Sequence, residues 1–487
     1  MPKGGDLARA WIWPLGSELL RNQVRSFRSR TTSETIKQIL SHLAKVKTLK
    51  NRLCSGNPVV LLKVKPSKLA GEVRAPPSKS YTHRAFMIAL IARGESKIIN
   101  PLLSFDTEAT IEAARTFGAE ISQENYIWRV LGTGGELKPR TDLIDVRNSG
   151  TTLRLMSAIA ALSHKPVRLT GDESILKRPV GPLIDALAQL GAKARCEGAR
   201  GRPPVVVGGG LEGGDVEITG TISSQFISAL LLACPYARED VELRVTEELR
   251  SKPYVEITLE LLDAAGAKIK RSRDLMEFKI HGGQVFRAMD LEIPGDFSSA
   301  ASLLVAAALA GGVVRVSNLD VRSAQGDKRI VGLLREFGAD VRVKGKVVEV
   351  SGAERLSGIE ADCGDNPDLV PTLAVLGSLA DGRTRLTNIP HLRYKETDRI
   401  RALRVELNKL GVEVDELPGE LRIKGVKRLK GTSLRSYGDH RMAMALAVAG
   451  LVARGETVVE GAESIPVSYP NFVEDMRKLG AKIELIK

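Results

Sequence analysis

Runs of apolar residues at helical spacing, each closed by a glycine and followed by an alternating segment, recur along most of this chain. In Pro182-Leu183-Ile184-Asp185-Ala186-Leu187-Ala188-Gln189-Leu190 the apolar positions share a helical face, and Gly191 stands where a helix would end in a left-handed turn. The motif apolar–Gly–Ala/Val–polar–apolar occurs six times, at residues 117–121, 190–194, 265–269, 337–341, 410–414 and 479–483. Its glycines (Gly118, Gly191, Gly266, Gly338, Gly411, Gly480) are 73, 75, 72, 73 and 69 residues apart. That period predicts one α/β folding unit used six times, too large for a thin solenoid repeat and naturally grouped as two domains of three.

Polar clusters lie between the repeats, each ending in small or hydroxyl residues that can open a helix. Pro77-Ser78-Lys79-Ser80-Tyr81-Thr82-His83-Arg84 precedes a predicted helix over 85–92, and Arg147-Asn148-Ser149-Gly150-Thr151-Thr152 one over 153–162. Ser223-Ser224-Gln225, Gly295-Asp296-Phe297-Ser298-Ser299 and Gly438-Asp439-His440-Arg441 precede helices over 226–233, 300–310 and 442–453. Taken singly, each cluster is an ordinary N-cap. Arg84, Arg154 and Arg441, however, sit in first turns, where a cation opposes the helix dipole. Stability does not favour that placement; anion binding does. Two other segments are dense in cations. Lys395 and Arg399, four apart, are predicted on one helical face, and Lys177 and Arg178 lie in a loop before a Pro-initiated helix.

Charge and composition narrow the partners. The net charge is +14, but residues 1–55 hold 11 Lys and Arg against 3 Asp and Glu. The remainder is therefore only mildly basic, and aromatics make up 4%, which argues against a nucleic-acid surface. Residues 1–57 read as a basic N-terminal arm, either a disordered tail or a start placed too far upstream. A targeting peptide is the alternative, and Ile36, Ile39, Leu40, Leu43 and Val46 mark one amphipathic stretch in it. No apolar run spans a bilayer. Cys54, Cys196, Cys234 and Cys363 form no CxxC pair, no His or acidic cluster has metal-ligand spacing, and no P-loop or GxGxxG follows a strand.

Residues 61–487 resemble the 5-enolpyruvylshikimate-3-phosphate synthases, in the archaeal form. The resemblance rests on Pro-Ser-Lys-Ser at 77–80 with Arg84, Asn148 to Arg154, Arg178-Pro179, Ser223-Ser224-Gln225, Ser251-Lys252-Pro253-Tyr254, Lys395 to Arg399, and Asp439-His440-Arg441. It implies two domains, each of three βαβαββ units, in an inside-out α/β barrel with the cleft between them. One domain would combine 61–77 with 296–487, and the other would be 78–295. It implies transfer of the enolpyruvyl group of phosphoenolpyruvate to the 5-hydroxyl of shikimate 3-phosphate, through a tetrahedral intermediate. Neither a metal nor an organic cofactor is implied, and the expected form is a cytoplasmic monomer with no nucleic-acid or membrane partner.

By the same resemblance, shikimate 3-phosphate meets Lys79, Ser80, Arg84, Ser223, Ser224, Gln225, Ser251, Tyr254, Asp368 and Lys395. Phosphoenolpyruvate meets Lys79, Asn148, Gly150, Arg178, Gln225, Arg399 and Arg441. Asp368, Glu396 and Lys79 would move the protons. Two positions depart from the family pattern: Val467 replaces a phosphate-binding lysine before Tyr469-Pro470, and His391 replaces a substrate-contacting asparagine. The alternatives weighed are a UDP-N-acetylglucosamine enolpyruvyl transferase, which needs a reactive loop cysteine, and an RNA 3′-phosphate cyclase, which needs a basic stripe with aromatic platforms.

Overall fold

The computed structural model describes residues 59–486 except 353. The expectations for the arm, and for Cys54, lie outside the described residues.

One four-stranded pattern is built six times. Strand Leu143–Asp145 runs into helix Gly150–Ala160, then strand Val167–Thr170, helix Gly181–Gln189 and the hairpin Lys193–Gly198 with Arg202–Gly208. The first two strands pair parallel, as a helical crossover demands, and the hairpin adds antiparallel. All six sheets share this order, giving the βαβαββ unit. Each repeat glycine has φ between +85° and +112° and stands just past a helix. After it, the next amide reaches five residues back into the helix, as in Ala192 N–H to Leu187 O at 3.0 Å and Val412 N–H to Leu407 O at 3.2 Å. This is the six-to-one bond of a Schellman cap.

The first helix of each unit is interior. Helices Lys79–Ile91, Gly150–Ala160 and Ser224–Ala233 belong to one lobe; Phe297–Ala310, Val370–Gly377 and His440–Gly450 belong to the other. They are rich in Ala, Ser and Gly and are buried almost all round, so small residues let neighbouring helices approach where one-sided amphipathicity would not suffice. Two separate hydrophobic cores result, one over 81–293 and the other over 62–75 with 297–483.

The chain passes between the lobes twice. Strand Gly71–Arg74 pairs with Val313–Ser317, yet the next helix lies in the other lobe; strand Asp290–Glu292 pairs with Glu95–Ile99 before the chain returns. The crossings are side by side. Pro77 bridges Gly295, Ser78 N–H donates to Pro294 O at 2.7 Å, and Asp296 N–H to Pro76 O at 2.8 Å. Strand Leu61–Lys65 inserts between Thr457–Glu460 and Lys482–Ile486, so the first described strand completes the last sheet.

Two local expectations are corrected. The interior helices start earlier than predicted, at Lys79, Gly150, Ser224, Phe297 and His440. Most of the polar clusters therefore form first turns, whose unpaired amides tolerate polar side chains. Arg84 and Arg154, expected in first turns, fall in the second turns of their helices, and of the three only Arg441 is in a first turn. Lys395 and Arg399 do not share a helix. Asp398 caps helix Arg399–Lys409 by accepting from Arg401 N–H, and Lys395 is extended after the short 3-10 helix Pro390–Tyr394.

A pair of substitutions tests the role of the repeat glycine. Gly411, at φ +93°, and Gly332, inside helix Ile330–Glu336, both have open space where a Cβ would go. Gly411→Ala should lower unfolding free energy by about 1–2 kcal/mol through left-handed strain. Gly332→Ala should raise it by up to about 1 kcal/mol. Denaturant midpoints read both; equal signs would remove the conformational explanation.

Candidate active site

Four of the six interior helices aim their first turns at one cavity of about 290 Å³ on the seam between the lobes. One lobe lines it with Lys79, Ser80, Asn148, Gly150, Arg178, Ser223, Ser224, Gln225, Ser251 and Tyr254. The other contributes Asp368, Lys395, Glu396 and Arg399, together with His391 and Val467. All but two of the residues expected at the site are thus brought to one wall or the other.

The exceptions are Arg84 and Arg441, which do not line the cavity. Arg84 is 1% exposed. Its Nε donates to Thr258 Oγ1 at 2.7 Å, Nη1 to Ser80 O at 3.0 Å and Nη2 to Tyr254 O at 3.0 Å. It therefore braces Ser80 and Tyr254 from behind, and burial pushes its pKa down to about 10, so it remains a cation near neutral pH. Arg441 points into its own lobe, donating to Ser299 Oγ at 3.2 Å, with Asp368 Oδ2 at 3.2 Å and Asp296 Oδ2 at 3.7 Å.

Lys79, at N1 of its helix, donates to Asp106 Oδ2 at 2.8 Å, and His83 Nε2 lies 3.7 Å from the same oxygen. Burial opposes the charge on Asp106, but Lys79 and His83 outweigh it and hold the carboxyl well below its ordinary range. Asp106 carried no sequence signal. It meets Lys79 only because helix Phe105–Thr116 packs against helix Lys79–Ile91.

The opposite wall is organised around Arg399, 1% exposed. Its Nε donates to Asp439 Oδ2 at 2.7 Å, Nη1 to Asp368 Oδ1 at 2.8 Å and Nη2 to Glu396 Oε2 at 3.0 Å. Glu396 Oε1 reaches across the seam to Arg178 Nη2 at 3.3 Å. Gly150 leaves the room for that guanidinium, since a Cβ there would lie 2.5 Å from Arg178 Nη1. Burial penalises both carboxylates. Arg441 and Arg399 nevertheless hold Asp368 down, and Arg178 and Arg399 hold Glu396 well down. Both are anions near neutral pH.

The cations are less fully satisfied. Arg154, flagged as a cation near a helix start but outside the expected site set, lines the cavity and donates Nη1 to Gln225 Oε1 at 2.8 Å. Burial and then Arg178 disfavour its charge. Among the described residues, buried Nε of Arg154 and Arg178 lack a partner, as do both ring nitrogens of His391 and His440. Burial, with Lys395, Arg250 and Arg399, pushes His391 down to about 3; burial, with Lys79 and Arg441, holds His440 well below its ordinary value. Each ring is neutral, with one donor and one acceptor nitrogen, and both residues line the cavity. Unspent donors, helix amides and two ionised carboxylates suit polyanionic ligands and proton transfer. No cluster of His, Cys, Asp or Glu among the described residues could hold a metal.

Known proteins share this architecture. The family model described as EPSP synthase (3-phosphoshikimate 1-carboxyvinyltransferase) matches residues 63–476. A 3-phosphoshikimate 1-carboxyvinyltransferase of Methanocaldococcus jannaschii is 46% identical over 430 residues, covering 88% of this chain and 99% of that one. One from Methanosarcina mazei is 48% identical over 427 residues, covering 87% and 98%. An EPSP synthase from Acinetobacter baumannii superposes with TM-score 0.75 at 27% identity, covering 88% of this chain and 100% of that one. The enolpyruvyl transferase NikO from Streptomyces tendae, 22% identical, shares the fold at TM-score 0.72, over 88% of this chain and 99% of its own.

Asp327, 4% exposed behind the cavity, gives the site a pH dependence opposite to that of Asp368 and Glu396. It accepts from Ser298 Oγ at 2.5 Å and Asn366 Nδ2 at 3.2 Å. Burial and the Asp368 charge nevertheless push it up to about 7. A folded-state value above the unfolded value of about 3.9 means the native state binds the extra proton. Stability from this group is full below pH 4 and falls as pH rises towards 7. Asp327→Asn should remove that fall. Denaturant unfolding of both proteins at pH 5 and pH 8 checks it, and an unchanged difference between the two pH values refutes it.

Proposed function

The chain belongs to the EPSP synthase (3-phosphoshikimate 1-carboxyvinyltransferase) family, and from that membership we propose how its cleft divides the labour of the reaction. The protein transfers the enolpyruvyl group of phosphoenolpyruvate to the 5-hydroxyl of shikimate 3-phosphate, releasing phosphate. We assign shikimate 3-phosphate to the face built by Ser80, Ser223, Ser224, Gln225, Ser251, Tyr254, Asp368 and Lys395, with Arg84 holding that face in place. Phosphoenolpyruvate is assigned to Lys79, Asn148, Gly150, Gln225, Arg178 and Arg399, with Arg441 bracing Asp368 from behind. The single observation that carries this division is the chain Arg178–Glu396–Arg399, which spans both lobes.

In that reading the donor's carboxylate and phosphate compete with Glu396 for Arg178 and Arg399. Those two guanidinium groups are what keep Glu396 ionised, so losing them to the donor raises its proton affinity. Glu396 then holds the proton that the methylene carbon gains when the 5-oxygen attacks the adjacent carbon. Asp368, still paired with Arg441, accepts the proton of the 5-hydroxyl. The tetrahedral intermediate collapses as the methyl group returns a proton and phosphate leaves. Lys79 balances charge beside both ligands.

The two cores are read as two domains, 61–77 with 296–487 and 78–295. One chain supplies both walls, so a monomer suffices. The described cysteines are all unpaired, which suits a reducing cytoplasm, and none lines the cavity, which speaks against the UDP-N-acetylglucosamine enzyme.

Phosphate release from phosphoenolpyruvate should require shikimate 3-phosphate; release without it, or none with both, would overturn the reading. Lys79→Met should cut kcat/KM more than about a hundredfold, or about 2.7 kcal/mol, and a loss of only a few fold would place Lys79 outside the site. Val467, in the 3-10 helix Ala462–Val467, lines the cavity where a lysine was expected. Val467→Lys should lower the phosphoenolpyruvate KM alone, by up to about tenfold to a hundredfold for one charge-assisted contact. An unchanged donor KM in a folded variant means another cation already fills that role.

A further inference from the structure

Helix Lys252–Ala264 begins abnormally. Its N-cap, Ser251, has φ 57° and ψ 41°, a left-handed conformation, and its side chain makes no capping bond. Pro253 has no amide hydrogen, and Tyr254 N–H folds back onto Ser251 O at 3.2 Å. That leaves Lys252 N–H as the first-turn donor in need of an acceptor. It finds one in the other lobe: Asp365 Oδ1, at 2.9 Å. The preceding amide also crosses the seam, Ser251 N–H donating to Gly364 O at 3.2 Å.

The capping side is tied down within its own lobe. Gly364 N–H donates to Asp362 Oδ1 at 2.8 Å, and Asn366 Nδ2 is held by Asp327 Oδ1 at 3.2 Å. Gly326 lies directly against Pro253 of the opposite lobe, where an added Cβ would come within 2.5 Å of the ring. A hydrogen-bonded loop on one lobe therefore meets a strained, self-uncapped helix start on the other.

We propose that Asp365 is a positioning residue that caps helix Lys252–Ala264 across the seam, so that Ser251 and Tyr254 are set for shikimate 3-phosphate only while the lobes are together. This rests on the assignment of Ser251 and Tyr254 to that substrate. A left-handed serine costs free energy that its neighbours must hold in place. Parting the lobes removes both amide acceptors at once and frees Ser251 to relax. By linkage, a ligand that prefers the set geometry draws the lobes together.

Asp365→Ala, Asp365→Asn and Gly326→Ala test this in the full-length protein. Kinetics give the KM for each substrate, and calorimetry the affinity for shikimate 3-phosphate alone. Asp365→Ala should weaken shikimate 3-phosphate about tenfold, equivalent to about 1.4 kcal/mol, leaving the phosphoenolpyruvate KM within twofold. Asp365→Asn, which keeps an acceptor oxygen, should recover most of the loss. Gly326→Ala, which pushes on Pro253 without touching Asp365, should show the same one-substrate effect and serves if the alanine variant does not fold. Wild-type affinity in both alanine variants overturns the cap. An equal loss for both substrates, with a lowered Tm, makes Asp365 merely structural and also overturns it. If wild-type protein fails to bind shikimate 3-phosphate, the assignment of the face falls instead.

Discussion

The guanidinium of Arg399 is 1% exposed and is met where it lies by carboxylates, and one wall of the cleft is arranged around that pairing. Removing one such ion from water costs several kcal/mol, recovered only by close opposite charges with good hydrogen-bond geometry. Arg399 obtains three: Asp439 at the cap of helix His440–Gly450, Asp368 just ahead of helix Val370–Gly377, and Glu396 on the loop before its own helix. Neutralising one arginine thus brings three chain segments to a point and leaves the outer edges of two carboxylates facing the cavity.

The other wall follows the reverse logic. Lys79, Arg154 and Arg178 stand near positive helix ends, with Asp106, Gln225 and Glu396 as partners that leave donors unused. Such an arrangement lowers stability in the absence of anions and raises affinity in their presence. Glu396 connects the two walls. Its bond to Arg178 closes the seam without substrate, and a phosphate or carboxylate on the same guanidinium would displace it.

Much of the architecture was legible because its causes are local. A Schellman cap depends on a helix end, a glycine and the next amide, all within a few residues, so six equally spaced glycines revealed six units. Cations close to helix starts were legible for the same reason and pointed to Arg154 as well as to Arg84 and Arg441, although only Arg441 proves to lie in a first turn. The helix starts were misplaced because polar side chains read as loop, although the first four amides of a helix leave room for them. Lys395 and Arg399 were set on one helix because a charge pattern does not disclose that Asp398 will claim the cap.

What the sequence determined by itself, then, is the unit, its sixfold use and the kind of chemistry its helix starts can hold, since each is written within a turn or two of chain. Only the tertiary structure decided which starts face one another. Arg84 and Arg441 looked like Arg154 in the sequence, each a cation close to a helix start, yet they turn into the walls because Thr258, Tyr254, Ser299 and Asp368 are packed beside them. Asp106 reaches Lys79 only because two helices of one lobe pack together, and Asp365 reaches Lys252 only because the paired crossings at Pro77 and Gly295 hold the two lobes together. Those partners are 27 and 113 residues apart. A buried charge selects its neighbours by distance in space, which local spacing does not encode.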